Sequence, residues 1–125
     1  MEIPDLSSRV YAPEMHIGAV VRAVGWLGNQ VPRQGQLSLV VLDQLQHYSS
    51  TSHHDDYDMG DHCCELCGLV SGHGEFWIEW NAIRYVLPSL MVHYCEAHGY
   101  LPPDDFLAAL TARWASDNPL NFNHG

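Results

Sequence analysis

The chain has 125 residues and 46% hydrophobic residues, enough for one compact core and too few for two ordinary domains, so a single domain over residues 1–125 is expected. Five basic residues, all arginine, stand against fifteen acidic ones for a formal charge of −10, which disfavours nucleic-acid binding because such a surface repels phosphate. The lack of lysine excludes P-loop nucleotide hydrolysis and Schiff-base chemistry, both of which need the amine.

Residues 1–17, with Pro4 and Pro13, show no period and are expected to form an irregular lead-in that packs its few apolar side chains. From Ala19 to Leu27, apolar residues on both faces predict a central strand, with Val20, Val24 and Trp26 on one side and Val21, Ala23 and Leu27 on the other. Gly28 to Gly35 reads as a turn-rich loop. Leu37, Val41, Leu45 and Tyr48 then recur at helical spacing and predict a helix from Gln36 to about Tyr48, although Leu39-Val40-Val41-Leu42 would also suit a buried strand. Residues 49–62, SSTSHHDDYDMGDH, hold little that could build a core and are expected to be a mobile loop. Within it His53, His54, Asp55 and Asp56 offer donors for a second divalent metal, but a solvated polar loop is the simpler expectation.

Further on, Phe76, Ile78 and Trp80 alternate with Glu75, Trp77 and Glu79, and Ile83, Tyr85 and Leu87 alternate with Arg84 and Val86. The pattern predicts a hairpin through Asn81-Ala82, despite alanine being poorly suited to a primed turn. Trp77, sharing a face with two glutamates, is expected to be exposed and to mark a contact surface, and Glu75, Glu79 and Glu96 are expected to be solvated. Pro88-Ser89 starts a helix that Gly99 ends. A last helix begins at Pro102-Pro103, carries Asp104 and Asp105 in its first turn, and stops at Asn118-Pro119.

The chemistry concentrates in Cys64-Glu65-Leu66-Cys67-Gly68 and in His93-Tyr94-Cys95-Glu96-Ala97-His98. Two cysteines separated by two residues can present both sulfurs to one ion across a tight turn, and Gly68 suits the sharp backbone that follows. His93 and His98 have the spacing of the histidine pair in two-cysteine, two-histidine sites. On a regular helix five residues advance about 500°, so the imidazoles converge only if the last turn deforms, which Gly99 permits. Cys64, Cys67, His93 and His98 are therefore the expected ligands of one structural Zn²⁺. Cys63 gives a less favourable C-x₃-C alternative, and Cys95 is a buried small side chain that stands as a reserve ligand.

These segments, together with Val21-Arg22-Ala23-Val24-Gly25-Trp26-Leu27 and Tyr100 to Phe106, resemble a group of short, uncharacterised bacterial proteins with a C-x-x-C knuckle and an H-Y-x-x-x-H-x-Y-x-P-P segment. The resemblance spans most of the chain outside residues 1–17, the His/Asp loop and the tail. It implies a zinc site and no particular activity, and Cys63 departs from its pattern.

The expected fold is α+β: a small antiparallel or mixed sheet with about three helices and a zinc-finger-like knuckle, hairpin and helix. The expected function is a non-enzymatic, cytoplasmic protein-interaction module whose partner is another protein, basic in character. A metal-dependent hydrolase with an exchangeable zinc position, and an acidic immunity or inhibitor protein, are the alternatives. No apolar run reaches the roughly 18 to 20 residues that cross a bilayer, and the N-terminus lacks the pattern of a secretory signal.

Overall fold

The computed structural model describes residues 2–10, 13–54 and 61–119. The elements in chain order are a 3₁₀ turn at Pro13–His16, strand β1 (Val21–Ala23), helix α1 (Leu39–Thr51), strands β2 (His53–His54), β3 (Asp61–Cys63), β4 (Ser71–His73), β5 (Glu75–Trp80) and β6 (Ile83–Pro88), and helices α2 (Met91–His98) and α3 (Asp104–Asp117). The molecule is α+β, with a mixed four-stranded sheet in the order β1-β6-β5-β2 and a two-stranded antiparallel sheet of β3 and β4.

The β5–β6 hairpin is the centre of the sheet. Its register sets Phe76 opposite Leu87 and Ile78 opposite Tyr85. All four side chains are buried in the main core with Leu45 and Tyr48 of α1, Met91 and Tyr94 of α2, and Phe106 and Leu110 of α3. Alternation in the sequence thus identifies the helix-facing side of both strands. Asn81 and Ala82 take φ of 54° and 66°, the left-handed pair that a two-residue primed turn requires. Alanine there costs backbone energy that the paired strands offset.

Helix α1 begins and ends later than its periodicity predicts. Ser38 caps it by accepting a hydrogen bond from the Val41 N–H at 3.2 Å, so the apolar run Leu39–Leu42 is helical. Residues 49–51 continue the helix, 53–54 add a strand to β5, and 61–62 begin β3, so the expectation of one loop over 49–62 is wrong at both ends. The centre of that loop, residues 55–60, lies outside the described residues, and with it much of the suggested second metal site. Local composition is too polar to announce strands that form only by pairing with a distant partner.

Strand β1 is also shorter than predicted, and it ends the sheet instead of lying inside it. It pairs parallel to β6, with Val21 opposite Arg84 and Ala23 opposite Val86. Its outer edge is covered by the N-terminal lead-in: Leu6 N–H donates to Ala23 O at 2.7 Å, and Ala23 N–H donates to Ser7 O at 2.8 Å. A strand covered in this way is apolar on both faces without a second strand beside it. Gly25, at φ 82°, then breaks the alternation. Val24 and Leu27 enter the main core, whereas Trp26 joins Ile3, Ala23 and Val86 in a smaller cluster on the opposite face. Predicting Val24 and Trp26 on one face was therefore incorrect, because a strand period does not survive a left-handed residue.

Candidate metal centre

The knuckle closes the β3–β4 hairpin. Cys64 N–H donates to Val70 O at 2.8 Å, and Gly68 N–H donates to Cys64 O at 2.7 Å, folding Cys64 to Gly68 into one tight turn. Gly68 has φ 69°, which a side chain would make costly. Cys64 is fully buried and Cys67 half-buried.

The other half of the cluster depends on how α2 ends. Gly99 adopts φ 65°, and its N–H bonds to Tyr94 O, five residues back, as does the N–H of Tyr100, six residues back, at 3.2 Å. This widened last turn is a helix stop of the left-handed type. It supplies the deformation that His93 and His98 need. Their Nε2 atoms lie 3.2 Å apart, with ring planes at 83°.

Four donors therefore converge. Cys64 Sγ is 3.4 Å from His98 Nε2, Cys67 Sγ is 3.5 Å from His93 Nε2, and all four ligand atoms lie within 4.8 Å of one another. They are close enough to hold a metal ion. A tetrahedral zinc with bonds of about 2.0–2.1 Å to nitrogen and about 2.3 Å to sulfur has edges of about 3.3 Å (N to N) and about 3.6 Å (N to S). The three separations of 3.2, 3.4 and 3.5 Å lie close to those edges. Burial holds the His93 imidazole below its ordinary pKa, reinforced by His98 and opposed by Glu96. That direction favours the neutral ring, the form that coordinates metal.

Neither alternative cysteine joins the cluster. Cys63 is exposed, and Cys95 is buried. The Cys95 thiol is pushed up to about 12, first by burial and then by the nearby Glu96 and Asp5, which makes it a packing residue and not a nucleophile.

A second polar constellation was not legible in the sequence. Glu75 is fully buried, contrary to the expectation of a solvated carboxylate. Its Oε2 lies 2.9 Å from His16 Nε2 and accepts a hydrogen bond from Trp77 Nε1. On the far side of the imidazole, Arg84 Nη1 is 3.0 Å from His16 Nδ1. A guanidinium only donates, so Nδ1 accepts and Nε2 carries the hydrogen given to Glu75. Arg84 also stacks over Trp77 at 4.4 Å and pairs with Glu79 at 3.1 Å. Trp77 is thus half-buried beneath His16 and Arg84, not a bare contact residue, and it is Trp80, beside the turn, that reaches 37% exposure. Glu79 and Glu96 are exposed, as expected. The only sequence signal was the position of Glu75 and Trp77 on one strand face; their partner His16 lies 59 residues earlier than Glu75.

Fold and cluster define a small α+β protein with a two-cysteine, two-histidine constellation that ties a hairpin loop to a helix end. Residues 1–111 match the model of the family described as Domain of unknown function (DUF7919), and the chain belongs to that family. Searches of curated proteins and of solved structures return no match. No helix among the described residues is long and apolar enough to cross a membrane.

Proposed function

We propose that Cys64, Cys67, His93 and His98 hold one structural Zn²⁺, and that the protein is a non-enzymatic, cytoplasmic module that binds another protein. The observation that carries the metal reading is the match between the donor separations of 3.2, 3.4 and 3.5 Å and the edges of a zinc tetrahedron. Four protein donors at that spacing leave no coordination position for water or substrate, which supports a structural role over a hydrolytic one. The ion's work is mechanical. It joins the β3–β4 loop to the end of α2, two segments more than twenty residues apart in sequence, in a chain whose small core gains from such a staple.

An interaction role agrees with the rest of the molecule. The exposed apolar side chains include Leu69 (87%) next to the knuckle, and Leu39 (78%) and Val40 (65%) on α1. The acidic excess favours capture of a basic partner, as for an immunity or inhibitor protein.

Metal content of the purified protein tests the assignment. One zinc per chain is expected, with Co²⁺ replacement giving the visible spectrum of a tetrahedral S₂N₂ site. Cys64→Ser and His98→Ala are expected to lose the metal and melt at lower temperature. Protein that purifies without metal, and whose melting is indifferent to chelator and to added Zn²⁺, overturns the reading.

A further inference from the structure

The two sulfurs of the metal centre share one turn and differ in access. Cys64 is 0% exposed and Cys67 is half-buried, on a loop that the Gly68 N–H closes onto Cys64 O at 2.7 Å. Their Sγ atoms lie within 4.8 Å of each other. A disulfide needs about 2.05 Å between sulfurs, and a C-x-x-C turn is one that disulfide oxidoreductases close and reopen. Both residues lie between β3 and β4, so forming the bond requires no movement of a helix or a strand.

The other thiols are placed differently. Cys63 is exposed and its Sγ turns toward Cys64 O at 3.8 Å. Adjacent Cα atoms are about 3.8 Å apart, below the roughly 4.4–6.8 Å that a disulfide spans, so a bridge from Cys63 to Cys64 is strained. Cys95 is buried on α2, outside the four-donor cluster. A thiol that holds a metal is deprotonated outright, so Cys64 and Cys67 meet an oxidant as nucleophiles with no proton to remove. Cysteines that sense oxidants combine thiolate character, access and a resolving partner. Cys67 has the access, and Cys64 is the shielded partner behind it.

We propose that Cys64 and Cys67 form a redox switch on the metal staple: hydrogen peroxide oxidises the pair to a disulfide and so opens the site. The inference rests on the structural Zn²⁺ proposed above and adds its regulation. Cys67 Sγ attacks one peroxide oxygen; the S–O bond forms, the O–O bond breaks and hydroxide leaves. Cys64 Sγ then attacks Cys67 Sγ; the S–S bond forms, the S–O bond breaks and a second hydroxide leaves. The two sulfurs together lose two electrons, which the peroxide gains. His93 and His98 are then the only donors left, too few for a closed tetrahedral site, and the ion departs to water. The consequence is local. Strands β3 and β4 keep their pairing and α2 keeps its Gly99 stop, but the loop that carries the exposed Leu69 and Val70 is no longer tied to the helix.

The test uses the full-length protein with its metal counted beforehand. After hydrogen peroxide is added, freed Zn²⁺ is read with a chromogenic chelator, thiols are counted under denaturing conditions, and the bridge is located by peptide mass mapping after cleavage at Glu65, which separates Cys64 from Cys67. Release of one Zn²⁺ per chain is expected, with a fall from four free thiols to two and a Cys64–Cys67 bridge. Dithiothreitol with added Zn²⁺ should reverse all three. Cys63→Ser, at an exposed position outside the donor set, is expected to release metal at the same rate and to form the same bridge. Zinc retained under peroxide, zinc lost while every thiol stays free, a bridge through Cys63 or Cys95, or protection by Cys63→Ser each overturn the switch and leave the staple standing. Protein that takes up no Zn²⁺ before treatment overturns the staple, and the switch with it.

Discussion

His16→Ala removes the imidazole that lies between Glu75 and Arg84, and its cost follows from burial. The His16 side chain is 2% exposed and that of Glu75 is 0% exposed, so solvent cannot replace the lost hydrogen bond. Among the described residues Glu75 Oε1 has no hydrogen-bonding partner, so Trp77 Nε1 is the donor to the carboxylate that the variant retains. Hydrogen bonds to charged groups contribute about 1.5–3 kcal/mol, and stranding a buried charge adds to that, so a loss of about 3 kcal/mol is expected. By contrast Arg33 and Asp104, at a shorter 2.6 Å but 41% and 82% exposed, are expected to contribute less than about 1 kcal/mol. Burial, not distance, decides the ranking. In urea unfolding followed by tryptophan fluorescence, His16→Ala should lower the midpoint markedly and Arg33→Ala scarcely. The double variant His16→Ala, Glu75→Leu should recover much of the loss, because an apolar pair needs no donor. If His16→Ala unfolds within about 1 kcal/mol of the wild type, or the double variant is worse than the single, the cluster does not hold the lead-in to the sheet as described.

Chelation at neutral pH should lower the melting temperature reversibly, and a thousandfold excess of zinc over its dissociation constant should restore about 4 kcal/mol, read by differential scanning fluorimetry. Gly25→Ala should cost about 2–4 kcal/mol in chemical denaturation, since a Cβ at φ 82° would collide with Met91 Sδ. For Asp117, burial works upward, but hydrogen bonds from Tyr48 and Arg113 outweigh it and hold the carboxyl below its usual 3.8. Its contribution is therefore present above that value and lost as pH falls through the lower folded-state pKa, so Asp117→Asn should flatten the acid limb of the stability profile. Asp5 has the opposite sign. Burial raises its pKa above 3.8 despite hydrogen bonds from Gly25 and Tyr100, so its contribution is full below that value and fades as pH rises through the folded-state pKa. Asp5→Asn should be no less stable than the wild type at pH 7, and a large loss in urea titration would count against this assignment.

The sequence by itself determined the elements whose cause is local. Alternation in 75–87 placed the hairpin and its helix-facing residues, glycine after His98 placed the end of α2, and the C-x-x-C turn with two downstream histidines placed the four donors that the fold brings within 4.8 Å. Spacing could do this because the thiolate turn and the helix stop are short-range devices whose geometry a few residues fix. Only tertiary structure decided the rest. That β1 is an edge strand covered by residues 3–7, that His53–His54 pairs with β5, and that Glu75 is buried against His16 and Arg84 all depend on segments distant along the chain. Strand pairing and buried polar contacts gain their energy from partners that local sequence does not contain, so a histidine in an irregular lead-in and a glutamate on a strand carry no mark of one another until the chain has folded.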